Sequence, residues 1–299
     1  FTLICTIIIG VISAKNLNDG LEKACKFMMP ALFIMLIAVV IRSVTLPNAM
    51  EGVKWYMNVD FSKINAESIL AALGQCFFSV GIASGGAFVY GSYLNKDSDI
   101  PTDGLMVIGF DTLAALIAGF AIFPAVFALG LQPDSGSNLL FVTMSNVFMN
   151  LPFGRFFGVL FFLLMFFAAL SSALGYLEPV SSSFTELLKI DRKKGVIYAL
   201  TSIFVVGLLT IFGQNILKSV TIMDKNLFDF ADFLSGNIMM PLGAIALILY
   251  TLFKWKFDVF REDVNNGAES IKVPKALKYV SYVLPFVLII IFLKGLGIF

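Results

Sequence analysis

The chain has 299 residues, 59% of them hydrophobic and 14% charged, with 32 Phe and a net charge of +1. Soluble domains carry roughly 25% charged residues, so this composition excludes an ordinary soluble globule, and its near-neutral balance offers no basic surface to nucleic acid. There is no His, and Cys5, Cys25 and Cys76 lie far apart. Zinc and haem ligation, Cys–His nucleophilic chemistry and a disulfide framework therefore lack material, and the three Cys read as small packing residues.

The opening run "FTLICTIIIGVISA" is shorter than the roughly 20 residues needed to cross a bilayer. It also lacks the charged start and small-residue cleavage site of a signal peptide. It reads as half a helix, residues 1–14, of a chain truncated at its N-terminus. Seven apolar segments follow as expected spans: about 21–43, 66–94, 104–130, 156–187, 196–213, 226–253 and 277–297. Together they predict an all-α polytopic membrane protein, with residues 1–299 forming a single, partial transmembrane domain. Pro30, Pro124, Pro179, Pro241 and Pro285 fall in or near spans, where neighbouring helices can satisfy the freed carbonyls.

Lys and Arg counted by alternate loops number 14 against 7, together the 21 of the chain. The richer set, with Lys96, Arg192 and Lys256, is expected on the cytoplasmic side, and the poorer set, with Arg42, Lys54 and Arg155, outside. One outer connection, about 131–155, contains "SNLLFVTMSNVFMNLPFGRF", apolar but interrupted by Asn146, Asn150 and Pro152. It is expected to fold back as short helices; the alternative is an interfacial helix lying on the membrane. No phosphate loop or nucleotide motif is present. No nucleophile, base and orienting group converge, so the sequence gives no support to an enzyme.

The second span, "GQCFFSVGIASGGAFVYGSYL" from Gly74 to Leu94, holds its weakest helix formers at its centre. Gly81, Gly85 and Gly86 each weaken a helix by up to ~1 kcal/mol relative to Ala, and Ser79 and Ser84 compete for backbone hydrogen bonds. Unwound backbone at bilayer depth persists only where it lines a protein cavity, and there its open N–H ends attract anions and its open C=O ends cations. A small-residue packing face is the competing reading.

The third span is apolar except for Asp111. A carboxylate in a span costs a few kcal/mol on insertion scales and marks an ion or proton pathway, a structural ion pair or a protonated packing group. No Lys or Arg lies in the middle of any span to pair with it, so a metal cation, sodium above all, is the expected partner. In the fourth span, Ala168, Ser171 and Ser172 fall at i, i+3 and i+4 on one helix face, with Tyr176 one turn further. The two hydroxyls either bond the carbonyls of the preceding turn or, with a diverted carbonyl, form a neutral oxygen site for a small cation.

These residues resemble the neurotransmitter:sodium symporter family. The resemblance covers nearly the whole chain through "GQCFFSVGIASGGAFVYGSYL", "FDTLAALIAGFAIFPAVFALG", "FFAALSSALGYLEP" and "LFDFADFLSGNIMMPLG". It implies a fold of two five-helix inverted repeats, of the shorter bacterial type with eleven helices. The chain would begin in the fourth helix, leaving the second repeat complete and the first largely missing. The implied function is sodium-coupled symport of an amino acid or related zwitterion by alternating access, in the cell's inner (plasma) membrane. The partners would be sodium, a small-molecule amino acid and the lipid bilayer, and sodium is cargo rather than a prosthetic group. The present stretch alone is not expected to transport. An ion channel and a non-transporting membrane subunit are the rivals. Currents far above carrier turnover would mark the channel, and sodium-independent behaviour in amino-acid binding the subunit.

Family roles carried onto matching positions make Ser79 and Asp111 ligands of a first sodium, and the Ala168 carbonyl with the Ser171 and Ser172 hydroxyls half of a second. Phe78 resembles the lid over the substrate, with Ser79, Gly81, Ala83, Ser84, Ser172 and Tyr176 around the pocket. Gln75 and Asp229 resemble the outer gate, where an Arg of the family's first helix would pair with the acid, and Tyr93 and Glu186 the inner gate. Two departures stand out. Many animal members have Asn at the position of Asp111 and Ser at that of Ala115, and hold chloride nearby; the fixed carboxylate here predicts chloride independence. Ala83-Ser84-Gly85 stands where relatives often have Gly, a bulky residue and Gly, predicting a wider pocket for an aromatic or branched amino acid.

Overall fold

A computed structural model describes residues 2–15, 18–81, 85–131, 133 and 138–298. The elements, in chain order, are α1 (Thr2–Ser13), α2 (Lys23–Val44, entered through a π turn at Asn18–Glu22), α3 (Ala49–Met57), α4 (Ala66–Val80), α5 (Gly86–Ser92) and α6 (Ile100–Ala128). They continue with α7 (Met144–Asn150), α8 (Gly154–Leu188), α9 (Arg192–Gly213), α10 (Leu227–Asp232), α11 (Met240–Leu249), α12 (Phe257–Asn265) and α13 (Leu277–Gly295). A hairpin, β1 (Thr221–Ile222) with β2 (Lys225–Asn226), precedes α10. Its turn residues Met223 and Asp224 both have positive φ, 53° and 59°, the geometry that a two-residue hairpin turn requires.

Among the described residues, six helical stretches are long and apolar enough to cross a membrane: Asp19–Val44, Ile100–Ala128, Gly154–Leu188, Arg192–Gly213, Leu227–Asn265 and Leu277–Gly295. Large apolar side chains such as Phe27, Val107, Val159 and Phe286 stay exposed on them. A helix apolar all round belongs in lipid, so the chain is a multi-pass membrane protein. The second expected span, 66–94, is instead the two helices α4 and α5.

The chain divides into two compact units, one chiefly of Leu3–Ser62 and Phe110–Gly175, the other of Lys63–Gly109 and Tyr176 onward. In the first, Leu36 and Val39 of α2, Ala49 of α3, Ala121, Ala125 and Val126 of α6, Met144, Val147 and Phe148 of α7 and Phe161 of α8 form one buried cluster. The segment ahead of α8 therefore folds back into the protein: Met144 and Val147 are fully buried. A helix lying flat on the membrane would have left them at a surface. A second cluster joins Met28 of α2 to Leu170 and Leu174 of α8, with Ile9 and Ile12 of α1 packed against it.

Close backbone approach holds α3 on α6. A Cβ on Gly52 would lie 2.7 Å from the Phe123 carbonyl oxygen and 2.7 Å from the Pro124 Cα, so only Gly fits there. Tyr56 lies edge-on to Phe120, with ring centroids 5.1 Å apart, and its hydroxyl donates to the Leu116 carbonyl at 3.3 Å. In the second unit, Gly74 of α4 faces Ile291 of α13, and the Asn237 amide of the π stretch Phe233–Met239 donates to the Gly295 carbonyl at 3.0 Å.

Candidate functional site

The helix break is a local consequence of sequence at both ends. A reciprocal capping box starts α4: the Ser68 N–H donates to Asn65 Oδ1 at 2.8 Å, and the Asn65 N–H to Ser68 Oγ at 2.9 Å. The helix stops at Val80 because Gly81 turns left-handed (φ 66°, ψ 27°), its N–H still bonded to the Phe77 carbonyl at 3.1 Å. Gly85, also left-handed at φ 79°, is the N-cap from which α5 restarts. Two left-handed glycines cannot belong to one continuous right-handed helix. One helix thus ends at Val80 and another begins at Gly86. Ala83 and Ser84 lie outside the described residues.

Ser79 sits in the last turn of α4, and Phe78 beside it is half exposed. Asp111 lies in the N-terminal half of α6 and is partly buried. Ser79 and Asp111 belong to different compact units. On α8, the Ser171 hydroxyl donates to the Ala168 carbonyl at 2.9 Å. This is the back-bonded arrangement, and it brings two of the three expected oxygens of that face together. Ser172 and Tyr176, one turn apart on the same helix, are exposed.

The outer pair is placed differently from the expectation. Gln75 lines a cavity of about 450 Å³ with Phe78, Asp232, Asn237 and Ile291, so the acid that shares its cavity is Asp232, not Asp229. Asp229 is engaged at the start of α10: its N–H donates to Asn226 Oδ1 at 2.9 Å, and its carboxylate accepts from the Asn226 amide at 2.6 Å. In sequence the two acids lie almost one helical turn apart, and they differ in their neighbours.

The inner pair also differs. The Tyr93 hydroxyl, at the end of α5, donates to Glu178 Oε1 at 3.1 Å and lies 3.0 Å from Ser182 Oγ, while Glu186 is exposed. Glu178 is 2% exposed and accepts a bidentate pair from Arg192, Nη1 to Oε1 at 2.7 Å and Nη2 to Oε2 at 2.8 Å. Glu178 and Arg192 did not figure among the expected site residues. A signal existed: Glu178 is an acid in the apolar run "FFAALSSALGYLEPV", and Arg192 opens the next helix.

A multi-pass all-α protein with a span interrupted by paired left-handed glycines belongs to the class of broken-helix membrane proteins, which the symporters exemplify. The model of the sodium:neurotransmitter symporter family matches residues 2–298, and the chain belongs to that family. It is 36% identical over 297 residues to a protein of Haemophilus influenzae named as an uncharacterized sodium-dependent transporter, covering 99% of this chain and 65% of that protein. It is likewise 36% identical over 296 residues to YhdH of Bacillus subtilis, also named as an uncharacterized sodium-dependent transporter, covering 96% of this chain and 64% of the relative. The chain thus spans a little under two thirds of the length of these relatives. The crystal structure of MhsT in complex with L-phenylalanine matches with a TM-score of 0.84 at 35% identity, over 98% of this chain and 67% of MhsT. The fold is therefore that of the inverted-repeat sodium symporters.

Proposed function

We propose that the whole transporter to which this chain belongs is a sodium-coupled amino-acid symporter working by alternating access. The observation that carries the proposal is the interruption between Val80 and Gly86, bounded by left-handed Gly81 and Gly85, in a member of this family. Open peptide dipoles at such a break hold a zwitterion and a cation without further charged side chains.

In this reading Ser79 and Asp111 ligate one sodium, and the Ala168 carbonyl with the Ser171 and Ser172 hydroxyls contributes to a second. The cation at the second site exchanges the Ser171–Ala168 hydrogen bond for two oxygen ligands, which is consistent with their 2.9 Å separation. Phe78, Gly81, Ala83, Ser84, Ser172 and Tyr176 line the substrate pocket. Ser79 and Ser172 serve ion and substrate together, and that sharing couples their movement. Each charge crossing a 100 mV potential supplies ~2.3 kcal/mol, so two sodium ions drive uptake amply before any concentration term.

The small Ala83-Ser84-Gly85 triplet favours a large side chain, and the phenylalanine bound to MhsT supports an aromatic substrate. Gln75 with Asp232 forms the outer gate, and Tyr93 anchored on Glu178 the inner one. Asp111 supplies the fixed negative charge that makes chloride dispensable. The test is uptake of labelled L-phenylalanine and L-leucine into proteoliposomes of the full-length protein, with inward gradients of sodium or potassium. Accumulation is expected with sodium only; equal uptake under both gradients sinks the proposal.

A further inference from the structure

Within the first unit, a cavity of about 550 Å³ opens where the ends of α2, α6 and α7 meet the start of α8. That volume lies within the roughly 300–1,000 Å³ of ligand pockets. Its walls are chiefly apolar, with Leu46, Leu129, Pro152 and Phe157, and its polar side chains are Arg42 and Asn150. The Arg42 guanidinium lies 5.6 Å from the centre of the Phe157 ring, and its Nη2 donates to the Pro152 carbonyl at 3.1 Å. Its Nε is enclosed and has no hydrogen-bond partner. Among the described residues, no acidic side chain lines the cavity. A guanidinium has five N–H donors and a full positive charge; one carbonyl and one ring face meet them only in part, and an anion is the complementary partner.

The position of the cavity narrows the kind of anion. Arg42 is on the Lys- and Arg-poor side, which the charge distribution puts outside. At the same end of the unit, Trp55 of α3 packs on Phe123 and Phe127, with ring centroids 5.0 and 5.4 Å apart, and is itself half exposed. Trp at a helix end marks the depth of lipid headgroups. Arg binds phosphate through paired N–H groups, which a Lys cannot imitate.

We propose that this cavity is a binding site for an anionic phospholipid, its phosphate held by Arg42 and one acyl chain laid along Leu46, Leu129 and Phe157. The lipid completes the charge of Arg42 and ties together the ends of three helices and the start of a fourth. This site is independent of the transport reading.

The test uses the full-length protein, delipidated in detergent and supplied with phosphatidylglycerol, phosphatidylcholine or inorganic phosphate, and reads bound lipid by native mass spectrometry and the thermal midpoint. Phosphatidylglycerol should bind and raise the midpoint, phosphatidylcholine much less, and inorganic phosphate not at all. Arg42→Gln should weaken phosphatidylglycerol binding roughly ten- to a hundred-fold, the effect of losing one charge-assisted pair. Ala128→Phe, which fills the cavity but leaves the charge, should also expel the lipid and decides the matter if Arg42→Gln does not fold. Equal lipid retention in the wild type and both variants overturns the site. A midpoint rise with inorganic phosphate matching that with lipid overturns the lipid assignment.

Discussion

Arg192 grips both carboxylate oxygens of Glu178, at 2.7 and 2.8 Å, and Tyr93 donates to the same carboxylate from the end of α5. The pair joins the start of α9 to the C-terminal third of α8 and gives the short helix after the break a fixed anchor. Because Glu178 is buried, removing its partner strands a charge, an effect of about 3–5 kcal/mol. Arg192→Met should therefore lower the thermal midpoint of the full-length protein sharply. The double variant Arg192→Met with Glu178→Gln should regain most of the loss, because no charge is left behind. A double variant as unstable as the single one refutes the ion-pair account.

Asp232 and Asp229 should separate in their effects. Asp232→Asn removes the acid that shares a cavity with Gln75 and should depress sodium-driven uptake while leaving the midpoint nearly unchanged. Asp229→Ala removes the carboxylate in the first turn of α10 that accepts from the Asn226 amide but keeps the backbone N–H bonded to Asn226 Oδ1, and should lower stability by less than about 1 kcal/mol with uptake largely retained. Reversed outcomes would return the gate role to Asp229.

Two glycine substitutions distinguish backbone strain from steric conflict. Around Gly85 a Cβ meets no atom of the described residues within 4 Å, so Gly85→Ala should lose only the left-handed backbone preference, about 1–2 kcal/mol. Gly52→Ala drives a methyl group into the backbone of Phe123 and Pro124, which cannot yield as a side chain would. It should be the more destabilising of the two, by up to about 3 kcal/mol. Unfolding midpoints of the two purified variants check the ranking.

Asp111→Ala should abolish sodium-dependent uptake while the protein still reaches the membrane. Wild-type uptake should be the same in chloride and in gluconate. Asp111→Asn should make transport slower or newly dependent on chloride, because the fixed negative charge is gone. Undiminished uptake by Asp111→Ala at saturating sodium removes this residue from the ion site.

The amino-acid sequence by itself determined six of the seven expected spans and the break in the other. Crossing a bilayer needs only a run of apolar residues, and Gly81 and Gly85 interrupt a helix through their own backbone freedom, so both features are written locally. It also pointed to the oxygens of Ala168 and Ser171, because positions three apart on a helix are neighbours by geometry. The tertiary structure alone decided that Asp232 rather than Asp229 shares a cavity with Gln75, that Tyr93 meets Glu178 rather than Glu186, and that Arg42 lines a cavity with no acid among the described residues. Each of those choices sets one acid or one base against another a turn or two away, and the difference between them is made by residues distant in the chain. Helical periodicity cannot say which neighbour packs on which face; the packing can.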